Sequence, residues 1–332
     1  MSIFPYFVWG LMAVIIIVGV LKNRKNQKKI GEITKNNEFI EKNRAKYEQI
    51  INNNADSLSE ERKAYKRNGI IFGVVVAIPL ILYFITKETV FIFIFPVVLI
   101  VFGLIFGKKA STYLSKSQEL YNETAKTIIK ELDPDLEYFP NNGINYQEYR
   151  TLFFVEACDR FTSEDMIVNN KTGFCSADIV VESEHEDDDG HTYYSTEYDG
   201  SLAKIGIKDI ECNIVLGGVS KFAFVRSGFN KIKFEHDEFN KEFLCFTDNE
   251  LTAYKILTPD IMEELVNIKK NTIGDIDVRL IKDHLYIRFS GTNGFDGRED
   301  SKEELFNSVA VLEEIMKTMN KIKEIIERKN MD

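Results

Sequence analysis

Glu182, Glu184, His185, Glu186, Asp187, Asp188, Asp189 and His191 place eight carboxylate or imidazole side chains within a ten-residue stretch. Such groups are ordinary oxygen and nitrogen donors for divalent cations. An EF-hand register with Gly190 in the sixth place fails, because His185 and Thr196 then fall where the first and twelfth, acidic, ligands belong. The plainer expectation is a solvated hairpin tip held apart by its own charge.

Asp159, Arg160, Glu164 and Asp165 form a second polar cluster. Arg160 offers a planar fork for a carboxylate or phosphate, while local salt bridges and a helix cap are the alternative reading. Gly291, Gly294 and Gly297 repeat as GxxGxxG, which is not a phosphate-loop spacing, and acids follow them, so a flexible loop is expected. Nucleophilic catalysis needs Ser or Cys beside His and an acid. His185, His191, His236 and His284 are the only histidines, and none sits in a nucleophile motif. Cys158, Cys175, Cys212 and Cys245 are widely spaced, which predicts free thiols rather than a zinc site. No catalytic residue, metal or cofactor is assigned.

The elements that carry these residues begin in a membrane. Gly69–Thr86 and Val90–Gly107 are 18-residue runs without a charged side chain, separated by Lys87-Glu88-Thr89. At about 1.5 Å per residue each spans roughly 27 Å, near the thickness of a bilayer's hydrocarbon. Gly69 and Gly73 on one run and Gly103 and Gly107 on the other fall level in an antiparallel hairpin, where small residues would let the helices approach closely. A third apolar segment, Ile3–Leu21, has Phe4, Tyr6, Phe7 and Trp9 at its start and Lys22, Arg24, Lys25, Lys28 and Lys29 after it. That reads as an uncleaved anchor with its N-terminus outside. Lys66, Arg67, Lys108 and Lys109 give the same orientation, so residues 22–68 and 108–332 are expected to be cytoplasmic.

Charge divides along the chain. Residues 1–107 carry 14 Lys and Arg against 8 Asp and Glu, whereas the remainder carries 28 against 44. The acidic part disfavours a nucleic-acid partner. In residues 22–68, Ile33, Ile40, Tyr47 and Ile50 give a weak coiled-coil signal interrupted by Asn36, Asn37 and Asn43. A second helix is expected from Ser57 or Ser59 into the membrane. Beyond Gly107, Leu114, Tyr121, Ala125, Ile128 and Leu132 form one apolar stripe, a stalk helix ended by Asp133-Pro134.

Residues 133–332 read as short strands with two helices. Phe174–Val181 and His191–Tyr198 are expected to form a hairpin, with further strands at Ala203–Ile207, Glu211–Leu216, Lys221–Val225, Lys231–Phe234, Phe243–Phe246, Thr252–Leu257, Ile276–Ile281 and Leu285–Phe289. One helix starts after Thr258 with Pro259 at its first position, and a long one starts at Ser301, boxed by Glu304, and runs to about Lys329.

Five short segments add a family signal: Leu132-Asp133-Pro134-Asp135-Leu136-Glu137-Tyr138; Asp159-Arg160-Phe161 with Glu164-Asp165; Tyr198-Asp199-Gly200; Glu238–Phe243; and Tyr254–Pro259. With the preceding hairpin they cover residues 62–329. Their order resembles a family of bacterial membrane proteins defined by a domain of unknown function. The resemblance implies an inner-membrane protein with a cytosolic α+β domain and supplies no catalytic residue.

The expected organisation is an anchor (1–21), a cytosolic helical loop (22–68), a transmembrane hairpin (69–107), a stalk (108–132) and an antiparallel-β-rich α+β domain (133–332) with a long C-terminal helix. The expected role is a multi-pass adaptor or scaffold in the bilayer of a bacterial inner membrane, presenting an acidic domain to a protein partner or to its own copies. A membrane-bound enzyme or a ligand or stress sensor using the acidic clusters is the alternative.

Overall fold

The computed structural model describes residues 26–329 apart from 88–89, 153–157, 188, 209, 211, 219–227, 293, 296 and 298–300. The N-terminal apolar segment with its aromatic residues, the Glu88 turn and the strand expected at Lys221–Val225 lie outside the described residues. The chain divides into two compact units. One is Asn43–Thr127 with Gly297–Glu303, and the other comprises the residues up to Lys42, Ile128–Asp296 and those from Glu304 on.

Residues 26–35 are helical, followed by α1 (Glu38–Ser57), α2 (Ser59–Thr86) and α3 (Val90–Leu132). Asn37 interrupts the expected coiled-coil seam because it is a cap: its Oδ1 accepts the Ile40 N–H at 2.9 Å and opens α1. Ile40, Tyr47 and Ile51 are buried, while Ile33 and Ile50 are half-buried. In α2, Glu60 and Glu61 in the first turn suit the helix dipole, and Lys87, left-handed at φ 60°, closes the end by donating to the Tyr83 carbonyl.

Among the described residues α2 is the one helix long and apolar enough to cross a membrane. Ile70, Phe84 and Ile85 stand exposed on it. Among the described residues of α3 the buried positions are Tyr113, Ser117, Tyr121, Thr124, Ala125, Ile128 and Ile129. Leu114 stays 38 % exposed because the stripe climbs in four-residue steps through Ser117 to Tyr113 instead. Asp133 ends the helix, its Oδ1 accepting the Asp135 N–H at 2.9 Å.

The other unit is built on a nine-stranded sheet in which every pair is antiparallel. Its strands are β1 (Leu136–Phe139), β2 (Arg160–Asn169), β3 (Phe174–Glu186), β4 (Thr192–Gly206), β5 (Ile214–Gly218), β6 (Asn230–Ile232), β7 (Phe243–Thr247), β8 (Ile276–Ile281) and β9 (His284–Ser290). They lie in the order β1-β2-β3-β4-β9-β8-β5-β7-β6. Helices α4 (Tyr146–Arg150), α5 (Asp237–Glu242), α6 (Glu250–Ile256), α7 (Pro259–Asn271) and α8 (Lys302–Lys329) complete it.

Every residue of β8 is buried, so both faces of the sheet are covered there. On one face Tyr149 and Leu152 pack with Ala177, Ile179, Val181, Leu202 and Val215. On the other, Ile276, Val278 and Leu280 lie in register with Phe289, Ile287 and Leu285. The buried side of α8 carries Leu305, Phe306, Val309, Leu312, Ile315, Met319, Ile322 and Ile326, while Met316 at the same helical spacing is only half-buried.

The antiparallel α+β architecture and long C-terminal helix follow the sequence expectation; β1, β2, α4 and α5 are additions to it, and two expected strands are corrected. Thr252–Leu257 lies mostly in helix α6 rather than a strand, because Asn249 caps it, accepting the Thr252 N–H at 3.2 Å, and turns Ala253 and Ile256 inward. Ala203–Ile207 is largely the continuation of the hairpin strand, carried through Gly200 as β4.

Candidate interaction surface

β3 and β4 outrun their neighbours. The β2 ladder on β3 stops at Arg160↔Glu182, and the β9 ladder on β4 stops at Ser290↔Gly200. The β3–β4 pairing continues through Ser183↔Ser195, Glu184↔Tyr194, His185↔Tyr193 and Glu186↔Thr192. At about 3.4 Å per residue these four pairs carry a two-stranded arm roughly 14 Å past the sheet. The register slips at Val181–Glu182, which leaves Glu197 as the extra residue of a bulge and bends the arm at its root.

Asp187 builds the tip. Its Oδ1 accepts the N–H groups of Asp189 and His191 at 3.0 and 2.8 Å, and Gly190 supplies the required φ of 81°. From Glu182 to Asp199 the chain carries eight acids and no Lys or Arg. Tyr193 is 53 % exposed and stacks on His185 with ring centroids 5.3 Å apart.

Ser183, His185, Ser195 and Glu197 meet on one side of the arm. The two hydroxyls donate to Glu197 Oε1 at 2.5 and 2.7 Å and lie 2.9 and 2.7 Å from His185 Nε2. In a Ser-His-Asp relay the acid holds Nδ1 while the serine sits at Nε2. Here Glu197 is 3.7 Å from that same Nε2, and the hydroxyl protons point at the carboxylate. The group therefore fixes charge instead of activating a nucleophile. Hydrogen bonds from Ser183 and then Ser195 hold the Glu197 carboxyl below the usual carboxylate range.

Asp159 and Arg160 form a collar at the arm's base. Asp159 Oδ2 accepts the Glu184 N–H at 2.7 Å, covering part of the outer edge of β3. Arg160 lies 3.6 Å over the Tyr194 ring and 4.0 Å from Glu182. The Tyr194 hydroxyl donates to Glu184, which together with burial raises its pKa.

The other two members of that expected cluster lie elsewhere on β2, where Glu164 is exposed. Asp165 is buried at a bulge with φ 55°, accepting from the Tyr138 hydroxyl and, at 3.2 Å, from the Phe295 N–H. The structure thus pairs Asp159 with Arg160 at the arm and gives Asp165 a structural task. The loop expected to be flexible around Gly294 is held, since Asp178 accepts the Gly294 N–H as Asp165 accepts that of Phe295. Among the described residues no three His, Cys, Asp or Glu side chains gather to hold a metal ion.

Among the described residues Gly69, Gly73, Gly103 and Gly107 make no close contact. A Cβ added at any of them meets no described heavy atom within 4 Å. Aromatic rings carry the α2–α3 contact: Tyr65 stacks on Tyr113 at 4.9 Å, and Phe72 lies 4.6 Å from Phe102. These bulky pairs keep the backbones apart at the glycine levels.

A buried charge network escaped the sequence reading. Arg288 Nη2 is 2.6 Å from Asp277 Oδ2, and Arg288 Nη1 donates to the Tyr149 hydroxyl at 3.1 Å. Arg279 donates to the carbonyls of Leu152 at 3.1 Å and Leu216 at 2.5 Å. The available signal was charge within two largely apolar strands: Asp277 and Arg279 in Ile276–Ile281 and Arg288 in His284–Ser290.

Residues 213–330 match a family model described as a protein of unknown function (DUF3137). The match runs from the start of β5 to the end of α8. It contains the Glu238–Phe243 and Tyr254–Pro259 segments and excludes the other three. No curated protein sequence gives a significant match to the chain. Among solved structures, the chain is similar to the crystal structure of the mycobacterial trehalose monomycolate transport factor A, TtfA. That likeness has a TM-score of 0.37 and 8 % identity over 64 % of this chain and 93 % of the other.

Proposed function

We propose that this protein is a membrane-anchored adaptor whose acidic β-arm engages a basic segment of a partner protein. The observation that carries the reading is the arm itself: two strands beyond the sheet, uniformly acidic, with an exposed aromatic ring near the tip. Glu197, held ionised by two serines, fixes part of that charge where a partner would meet it. Charge of one sign on a projecting element steers an oppositely charged partner and sets specificity.

In the same reading the apolar runs at 69–86 and 90–107 cross the membrane as a hairpin, with residues 1–21 as a further anchor. The basic flanks favour residues 22–68 and 108–332 in the bacterial cytoplasm, with the N-terminus outside, as part of this proposal.

A photo-crosslinking amino acid at Tyr193, used in native membranes, tests the reading. A discrete adduct is expected. It should vanish with Glu184→Lys, Glu186→Lys and Asp189→Lys combined, and weaken as salt is raised. An adduct indifferent to both charge reversal and salt would remove the arm from partner recognition.

A further inference from the structure

Within the helical unit, α2 and α3 enclose a groove of about 600 Å³. That volume falls inside the range of small-ligand pockets, about 300–1,000 Å³. The sequence explains why the space exists. Tyr65–Tyr113 and Phe72–Phe102 bridge the helices at two levels. Between them Gly69, Gly103 and Gly107 lack the side chains that would fill the gap. Phe106, 4.3 Å from Phe102, and Leu99 extend the apolar wall.

The rim is different in chemistry. Lys66, Lys108 and Lys109 line it where the apolar sequence ends. The one acid in the lining, Glu61, is engaged by Lys116 at 3.4 Å. The groove therefore joins an apolar interior to a cationic mouth.

We propose that this groove binds an anionic phospholipid, with an acyl chain against Phe72 and Phe102 and the headgroup phosphate at the three lysines. The proposal rests on the membrane-anchored reading, which puts the lysines at headgroup level. Basic pockets between membrane helices suit anionic headgroups, and long lysine side chains reach that level. A small soluble anion would use the lysines and leave the aromatic wall without a counterpart, whereas a lipid uses both.

The test is native mass spectrometry of the full chain in detergent, titrated with phosphatidylglycerol or phosphatidylcholine of identical acyl chains. Retention of phosphatidylglycerol is expected to exceed that of phosphatidylcholine by about tenfold. Lys66→Gln, Lys108→Gln and Lys109→Gln combined should abolish the preference. Gly69→Phe with Gly103→Phe, which fills the groove and keeps the charge, should abolish retention of both lipids.

Equal retention of the two lipids by the unaltered chain, or undiminished retention by the filled variant, overturns the proposal. So does full displacement of the lipid by inorganic phosphate. Lipid binding that emerges only after deletion of residues 1–21 would identify that segment as the occupant and also overturns it. Carbonate extraction of membranes separates the two readings. A chain that washes out defeats the anchored reading, whereas a chain that stays without lipid preference defeats the groove alone.

Discussion

Asp277 and Arg288 are register partners across the β8–β9 ladder, buried, and joined at 2.6 Å. The same guanidinium lies 4.1 Å from the centre of the Tyr198 ring, and Asp277 Oδ1 accepts the Gly218 N–H at 3.1 Å. Removing one partner of such a pair strands a charge in the core, at a cost of about 3–5 kcal/mol. Asp277→Ala should therefore lower the thermal midpoint sharply, read by circular dichroism. Asp277→Leu with Arg288→Met should recover much of the loss, because no unpaired charge remains. A single variant melting like the parent would place the pair outside the core energetics.

Glu197 gives a pH prediction. Its folded pKa lies below the ordinary carboxylate value, so its stabilising effect is complete above the unfolded pKa of about 4.3. That effect is lost as the pH falls through the lowered folded value. Ser183→Ala with Ser195→Ala should move the titration upward toward the ordinary value, followed by carbon-13 NMR of labelled glutamate. A titration that does not move would assign the shift to His185, the remaining favourable neighbour.

The cysteines differ in access. Cys175, Cys212 and Cys245 are buried and Cys158 is half-buried. Burial pushes the Cys175 and Cys245 thiols up, which removes reactive thiolate. Ellman's reagent at pH 8 should find one fast thiol, lost in Cys158→Ser, and the other three only on denaturation. More than one fast thiol would contradict the packing around β3, β5 and β7.

Gly200 marks the passage from sheet to arm. Its φ is +155°, and a Cβ there would stand 2.1 Å from the Phe289 carbonyl oxygen, a backbone atom. Gly200→Ala is expected to cost about 2–4 kcal/mol. Gly206→Ala, at the far end of the same strand with open space around it, should change stability by less than about 0.5 kcal/mol. Thermal melts of the two variants compare them directly.

The first strand of the hairpin was legible because Cys175, Ala177, Ile179 and Val181 alternate into the core. β2 was not: Arg160, Thr162 and Glu164 face outward on its first half, so a strand looks like a charge cluster. The β8–β9 turn carries Lys282 and Asp283, both at positive φ, in place of the Asn-Gly that advertises such a turn. Without that turn's register nothing in the local pattern joins Asp277 to Arg288, eleven residues on. The polar cluster divided for a related reason. The β2 bulge between Glu164 and Ile167 turns Asp165 inward, and single bulges leave little trace in composition. The groove between α2 and α3 was hidden because glycines at matched heights read as contact, whereas aromatic neighbours decide whether backbones touch.

The arm's two strands continue without a break into the middle of the nine-stranded sheet, where β3 is paired with β2 and β4 with β9. Ladder hydrogen bonds run across the strands. A tug at the tip along the arm therefore loads those bonds in shear, many at once, and does not peel them apart one by one. The projection is mechanically a handle rooted in the strongest direction of the sheet, suited to holding something that pulls.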